Sequence, residues 1–170
     1  MNKINSHPAE ANFTIRPFIP TDLGFVISRQ LALYESEYGF TSEIWKNYLT
    51  GGVYDLVRRF DDEKDCMYIL ENDGVPSGCI AITHLDGTTA QLRFFFIEPE
   101  MRGIGAGRLL IDKAILFCRE SGYERVMLWS FSTLDAARHL YIGKGFWMTE
   151  TRENNDWGET ILEERWDLDL

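Results

Sequence analysis

The sequence predicts an α/β (α+β) fold in which a mixed sheet of about seven strands carries about four helices on its faces. Three observations carry that expectation. Alternating runs between Cys66 and Glu98, separated by Asn72-Asp73-Gly74 and Asp86-Gly87, read as an antiparallel meander. Two segments of helical spacing precede the meander. A third follows its last strand, after a junction in which glycines alternate at 103, 105 and 107.

Taken in order, residues 1–12 are polar and are expected to be a flexible lead-in, with 13–170 forming a single domain. Phe13 to Arg16 is a short strand that Pro17 and Pro20 bring to an end. Thr21 or Asp22 caps a helix whose apolar stripe is Leu23, Val26, Ile27, Leu31 and Tyr34, and Gly39 ends it. A second helix is expected from Ser42 to about Phe60, with a break or kink at Gly51-Gly52. The meander follows, its strands running Cys66 to Glu71, Ser77 to His84 and Thr89 to Glu98. A long helix then ends near Gly122. Arg125 to Ser130 is a strand, Leu134 to Ile142 a short helix, and Phe146 to Arg152 and Ile161 to Leu168 the closing strands. The order is therefore β-α-α-β-β-β-α-β-α-β-β.

Composition narrows the function. A formal net charge of -10 opposes a general binder of nucleic acid or anionic membrane, and no apolar run is long enough for a signal peptide or a membrane span. A cytoplasmic location and no nucleic-acid or membrane partner are the resulting expectations. Cys66, Cys79 and Cys118 sit in apolar segments, and the Cys and His spacings match no metal site. Against this acidic background Arg102 and Arg108 flank the three glycines. The first amides of a helix lack intrahelical partners, the dipole adds positive potential, and glycine lets a ligand approach the backbone. A phosphate site is expected at Arg102, Gly103, Ile104, Gly105, Ala106, Gly107 and Arg108. A dinucleotide alternative would need its glycines directly after a strand, and residues 98–102 intervene.

Ile97-Glu98-Pro99-x-x-Arg102-Gly-Ile-Gly-Ala-Gly107, together with Ala137-x-x-Leu140-Tyr141-x-x-x-Gly145-Phe146, resembles the GNAT family of acetyl-CoA-dependent N-acetyltransferases. The element order is also that of the mostly antiparallel GNAT acyl-CoA N-acyltransferase fold. Leu33-Tyr-Glu-Ser-Glu-Tyr-Gly39, Leu128-Trp-Ser130, Leu134-Asp-Ala-Ala-Arg138 and Arg165-Trp-Asp-Leu-Asp-Leu170 are similar to the acetyltransferase half of bacterial MarR–GNAT fusions. A chain of 170 residues is expected to have no room for the DNA-binding half.

The resemblance implies acetyl-CoA as co-substrate, no metal, and transfer to a primary amine of a small or amino-acid-like molecule. It implies that the glycine loop holds the pyrophosphate and that pantetheine lies along Phe96 and Ile97. An amide near Phe95 or Phe96 would receive the acetyl oxygen, and Tyr141 would be the general acid for the leaving thiolate. A pantetheine-holding asparagine of many relatives is replaced by Leu134, leaving Asp135 as a substitute and Arg138 beside it among the cofactor contacts. Two glutamates used as bases in relatives fall at Gln91 and Trp129. Glu37 and Glu35 are then the candidate bases, on an acidic helix end that would attract a cationic amine, with water as the other route. Tyr34, Tyr38, Arg93 and Trp129 are the candidate acceptor contacts. Arg93 either binds a substrate carboxylate or pairs with a neighbouring acid. A catalytically silent CoA-binding sensor is the competing function, and a homodimer is left open.

Overall fold

The computed structural model describes residues 12–170, so the lead-in expected over 1–12 lies almost wholly outside the described residues. Among these described residues, seven strands form one sheet in the order β1-β2-β3-β4-β5-β7-β6. They are β1 (Phe13–Pro17), β2 (Cys66–Asn72), β3 (Val75–Asp86), β4 (Thr89–Ile97), β5 (Arg125–Phe131), β6 (Trp147–Asn154) and β7 (Ile161–Asp169). Four α-helices of the described residues pack on it: α1 (Leu23–Tyr38), α2 (Glu43–Arg58), α3 (Ala106–Glu120) and α4 (Asp135–Gly143). All neighbouring strands are antiparallel except β4 and β5.

Each face of the sheet has its own core. On one face α3 contributes Leu110, Ile111, Ala114 and Cys118 and α4 contributes Tyr141, packed on Ile80, Ile82, Leu92, Leu128 and Trp166. On the other, α1 gives Val26 and Leu33 and α2 gives Trp45, Leu49, Val53 and Leu56, packed on Ile69, Ala81, Phe94, Phe96 and Phe131. Most boundaries fall within a residue or two of the expected ones.

Two local expectations are corrected. Asp22 occupies the N-cap position of α1 but does not cap it with its side chain. Its carboxylate instead accepts from the Ile19 amide at 2.8 Å and from both terminal nitrogens of Arg16 at 2.7 and 2.9 Å. Arg16 also donates to Glu71 at 2.6 Å, tying β1, β2 and the entry of α1 together. The second correction concerns Gly51-Gly52, which breaks nothing: α2 is continuous, capped by the Ser42 hydroxyl accepting from the Trp45 amide at 3.1 Å. Gly52 is there for clearance, since a Cβ on it would lie 3.3 Å from Phe94 Cζ and closer still to Arg93.

Candidate functional site

The site begins with an irregularity in β4. Cys79 pairs with Phe96 and Ala81 with Arg93, so Phe94 and Phe95 together oppose Ile80. Phe94 adopts φ 53, a left-handed conformation uncommon for a residue with a Cβ. The extra residue reverses the alternation. Ala90 and Leu92 enter the α3 core, whereas Phe94 and Phe96 enter the α1/α2 core. Arg93 and Phe94 consequently face α2 together.

Beside the bulge the sheet opens. The parallel pairing of β4 with β5 runs only from Thr89↔Arg125 to Gln91↔Met127, although both strands continue, β4 to Ile97 and β5 to Phe131. Their facing edges diverge into a cleft of about 700 Å³, lined by residues 91–97 on one side and by Trp129, Ser130 and Phe131 on the other. Backbone groups on such an edge need partners, and an extended ligand can supply them as an added strand does.

At the far end of β4 the glycine loop enters α3. Gly103 and Gly105 take φ 77 and 90, and nothing lies within 4 Å of a Cβ built on either. Gly105 is the N-cap residue and offers no side-chain cap; the first bond into the helix is from the Leu109 amide to the Gly105 carbonyl at 3.2 Å. The amides of Ala106, Gly107 and Arg108 therefore open towards the cleft end. Gly107 lets the helix start sit against the strand, because a Cβ there would be 3.1 Å from Ile97 Cδ1. This is a fitting cradle for a pyrophosphate.

Most of the expected site residues surround this cleft. Tyr34, Glu37, Tyr38, Arg93, Phe96, Ile97, Arg102, Gly103, Gly105, Gly107, Arg108, Trp129, Asp135 and Tyr141 all line it. Tyr141 is 5% exposed, its ring against Phe95, Phe146 and Trp166. Burial, and then the nearby Tyr34 phenol, push the Tyr141 hydroxyl well above the ordinary tyrosine range, so it stays protonated as a donor. Burial likewise pushes Tyr34 up to about 12.

Other residues stand differently from the expectation. Glu35 is exposed and outside the cleft, since on a helix Tyr34, Glu37 and Tyr38 share a face that Glu35 does not. Glu37 accepts from Arg102 at 2.8 and 3.1 Å, and Arg102 Nε donates to the Ile97 carbonyl at 3.1 Å. The expected base and the expected phosphate ligand thus hold each other. Arg138 turns to Glu164, with Nε 3.2 Å from Oε2, and does not line the cleft. Ile104 is exposed and Ala106 buried, and the side chains of neither line the cleft.

Three features escaped sequence reasoning. Glu163 of β7 is 2% exposed and lines the cleft, accepting from Arg152 Nε at 2.6 Å while the Arg152 guanidinium lies 4.0 Å from the Trp129 ring centroid. A glutamate inside an alternating strand gives no signal of its own. Glu98 is buried beneath a two-point bond from Arg29 at 2.6 and 2.9 Å, which fixes α1 to the end of β4. Finally, Gln30 Oε1, Trp45 Nε1 and Ser130 Oγ are buried without hydrogen-bond partners, and all three residues line the cleft. Unpaired buried polar groups cost stability unless water or a ligand completes their bonding. Among the described residues, no cluster of His, Cys, Asp or Glu is arranged to hold a metal ion, and no helix is long and apolar enough to cross a membrane.

The model of the Acetyltransferase (GNAT) family matches residues 30–146, which contain the bulge, the glycine loop and Tyr141. An uncharacterized N-acetyltransferase of Schizosaccharomyces pombe is 28% identical over 101 residues, covering 58% of this chain and 62% of that protein. Another, from Methanocaldococcus jannaschii, is 26% identical over 142 residues, covering 79% of this chain and 60% of that protein. The chain thus spans about three fifths of the length of the curated relatives it matches. Among solved structures, a GNAT-family acetyltransferase of Staphylococcus aureus Mu50 superposes with TM-score 0.78 at 16% identity, over 94% of this chain and 99% of that one. An acetyltransferase of Salmonella typhimurium, solved with its cofactor acetyl-CoA, gives 0.73 at 19% identity, over 93% and 94%. The sheet opened at β4 and β5, the uncapped start of α3 and the family match agree, and the chain belongs to the GNAT family of acetyltransferases.

Proposed function

We propose that the protein transfers the acetyl group of acetyl-CoA to a primary amine of a small, amino-acid-like molecule. The observation that carries this is the divergence of β4 from β5 directly beside an uncapped, glycine-lined helix start. The sequence likeness to the acetyltransferase half of MarR–GNAT fusions supports the same chemistry.

Acetyl-CoA would supply an activated acetyl thioester. The amides of residues 103–108 would hold its pyrophosphate, and Phe96 and Ile97 would pair with its pantetheine arm. Next to the bulge, the amide of Phe95 or Phe96 would donate to the acetyl oxygen, a contact worth roughly 3 kcal/mol to the transition state. The amine nitrogen bonds to the acetyl carbon as the carbon–sulfur bond breaks, and the proton that the new amide nitrogen sheds passes to solvent. Tyr141, buried and protonated, gives its hydroxyl proton to the departing sulfur and recovers one from solvent.

The ammonium must first lose a proton. Of the two candidate bases, Glu37 reaches the cleft and Glu35 does not. With both Glu37 oxygens on Arg102, one exchange serves two ends: when Arg102 turns to phosphate, Glu37 is freed to accept the proton. Thiol release from acetyl-CoA across an amine panel tests the proposal. Release with at least one amine supports it; heat protection by CoA without release for any amine indicates a sensor, and protection by NAD alone indicates a dinucleotide protein.

A further inference from the structure

The Arg93 guanidinium is half-buried, lines the cleft, and lies 4.5 Å from the Phe94 ring centroid and 5.8 Å from that of Tyr48. The acids lining the same cleft are engaged elsewhere: Glu37 by Arg102, Glu163 by Arg152, and Asp135 beside Arg138. None of the ion pairs among the described residues includes Arg93, in a chain of net charge -10. Pairing with a neighbouring acid, one of the two roles the sequence left open, is therefore not what the fold does with it.

The fold also gives up stability to keep this cation where it is. Gly52 lies in the interior of α2, where glycine costs about 1 kcal/mol relative to alanine. A Cβ on Gly52 would sit 2.7 Å from Arg93 Nη2 and 3.5 Å from its Cζ. The left-handed Phe94 then brings Arg93 to the α2 face. Beyond the guanidinium the cleft wall is aromatic: Tyr48 and Trp157 lie 5.5 Å apart, and Trp45 and Trp157 4.9 Å, ring centre to ring centre. Trp45 Nε1 is an unused buried donor in this wall, and Gln30 Oε1 an unused acceptor.

We infer that Arg93, seated against Gly52, is a carboxylate receptor, and that the acceptor is an amino acid or close analogue with an aromatic side group. The carboxylate takes the planar fork of Arg93. The flat side group lies on the Tyr48, Trp45 and Trp157 wall. Arg93 is two residues before Phe95 on β4, and both line the same cleft. Arg93 is a binding residue and Gly52 a positioning residue.

This rests on the acetyl-transfer reading, and the test separates the two. Calorimetric titration of the CoA-saturated protein uses N-acetyl-L-phenylalanine and N-acetylphenethylamine, which differ by the carboxylate. The carboxylate-bearing ligand is expected to bind about ten- to a hundred-fold more tightly. Arg93→Gln should abolish that preference and Gly52→Ala should shrink it, both with the affinity for CoA unchanged. In turnover, Gly52→Ala should raise the KM for L-phenylalanine and leave kcat near that of the wild type. Equal binding of the two ligands, binding of neither, or a preference that survives in Arg93→Gln overturns the inference. A shift in CoA affinity in Arg93→Gln, assigning the cation to the donor, also overturns it. A carboxylate preference without thiol release from any amine supports the receptor and refutes the acetyltransferase.

Discussion

Tyr141→Phe separates chemistry from architecture because the substitution removes one oxygen and leaves the packing in place. The ring lies against Phe95, Phe146 and Trp166, and phenylalanine keeps all three contacts. Burial and the proximity of Tyr34, with no hydrogen bond, set the state of the hydroxyl, so its loss leaves no orphaned partner. Stability should fall by less than about 1 kcal/mol. Loss of a positioned general acid should lower kcat by about 10²- to 10⁴-fold, or about 2.7 to 5.5 kcal/mol of barrier. The KM for acetyl-CoA should stay near that of the wild type, since the loop amides at 103–108 are untouched. Because burial keeps the hydroxyl protonated well above the ordinary tyrosine range, raising the pH from about 7 to 10 should not close the gap by ionising it. Thiol release at saturating amine gives kcat, and calorimetry gives Tm. A kcat within about threefold of wild type refutes the assignment.

Further expectations concern the loop, the charge pairs and the thiols. Glu37→Gln removes a partner that competes for Arg102 and should tighten CoA binding by about two- to fivefold while lowering kcat; calorimetry and pH–rate profiles check both, and two unchanged values would sink the proposed exchange. Gly105→Ala forces a Cβ into φ 90 with no clash, so about 1–2 kcal/mol of stability should be lost, readable by urea unfolding. The Arg16 hydrogen bond holds the Asp22 carboxyl below its ordinary range, so its stabilisation is present above about pH 4 and is lost as pH falls further; Asp22→Asn should flatten that acid limb of the stability curve. Burial pushes all three thiols up, Cys118 to about 12, so native protein should label slowly with a thiol reagent at pH 8 and fully on unfolding.

The elements and the glycine-lined helix start were legible because each writes a local pattern. Alternation marked β2 to β4, helical spacing marked α3, and the glycines at 103, 105 and 107 marked its uncapped start. What stayed hidden depends on contacts between distant residues. Arg-Phe-Phe-Phe contains no glycine to announce a bulge, and the left-handed Phe94 follows from register against β3. Gly51-Gly52 looks like a break until Arg93, about forty residues on, is seen to occupy the space a side chain would take. Arg102 and Glu37 are 65 positions apart, and neither spacing nor charge pattern predicts that they pair. Glu163 looks like any acid in a half-exposed strand until β5 and β6 bury it.

The proposed function requires that the opening between β4 and β5 deliver acetyl from CoA to an amine. Its most direct test runs the wild-type protein with acetyl-CoA against the amine panel, L-phenylalanine included, counting free thiol by absorbance and acetylated amine by mass spectrometry in the same reaction. The predicted result is one N-acetyl product for each thiol released, with both signals falling together in Tyr141→Phe. Thiol released without acetylated amine, or CoA bound with neither signal, would contradict it.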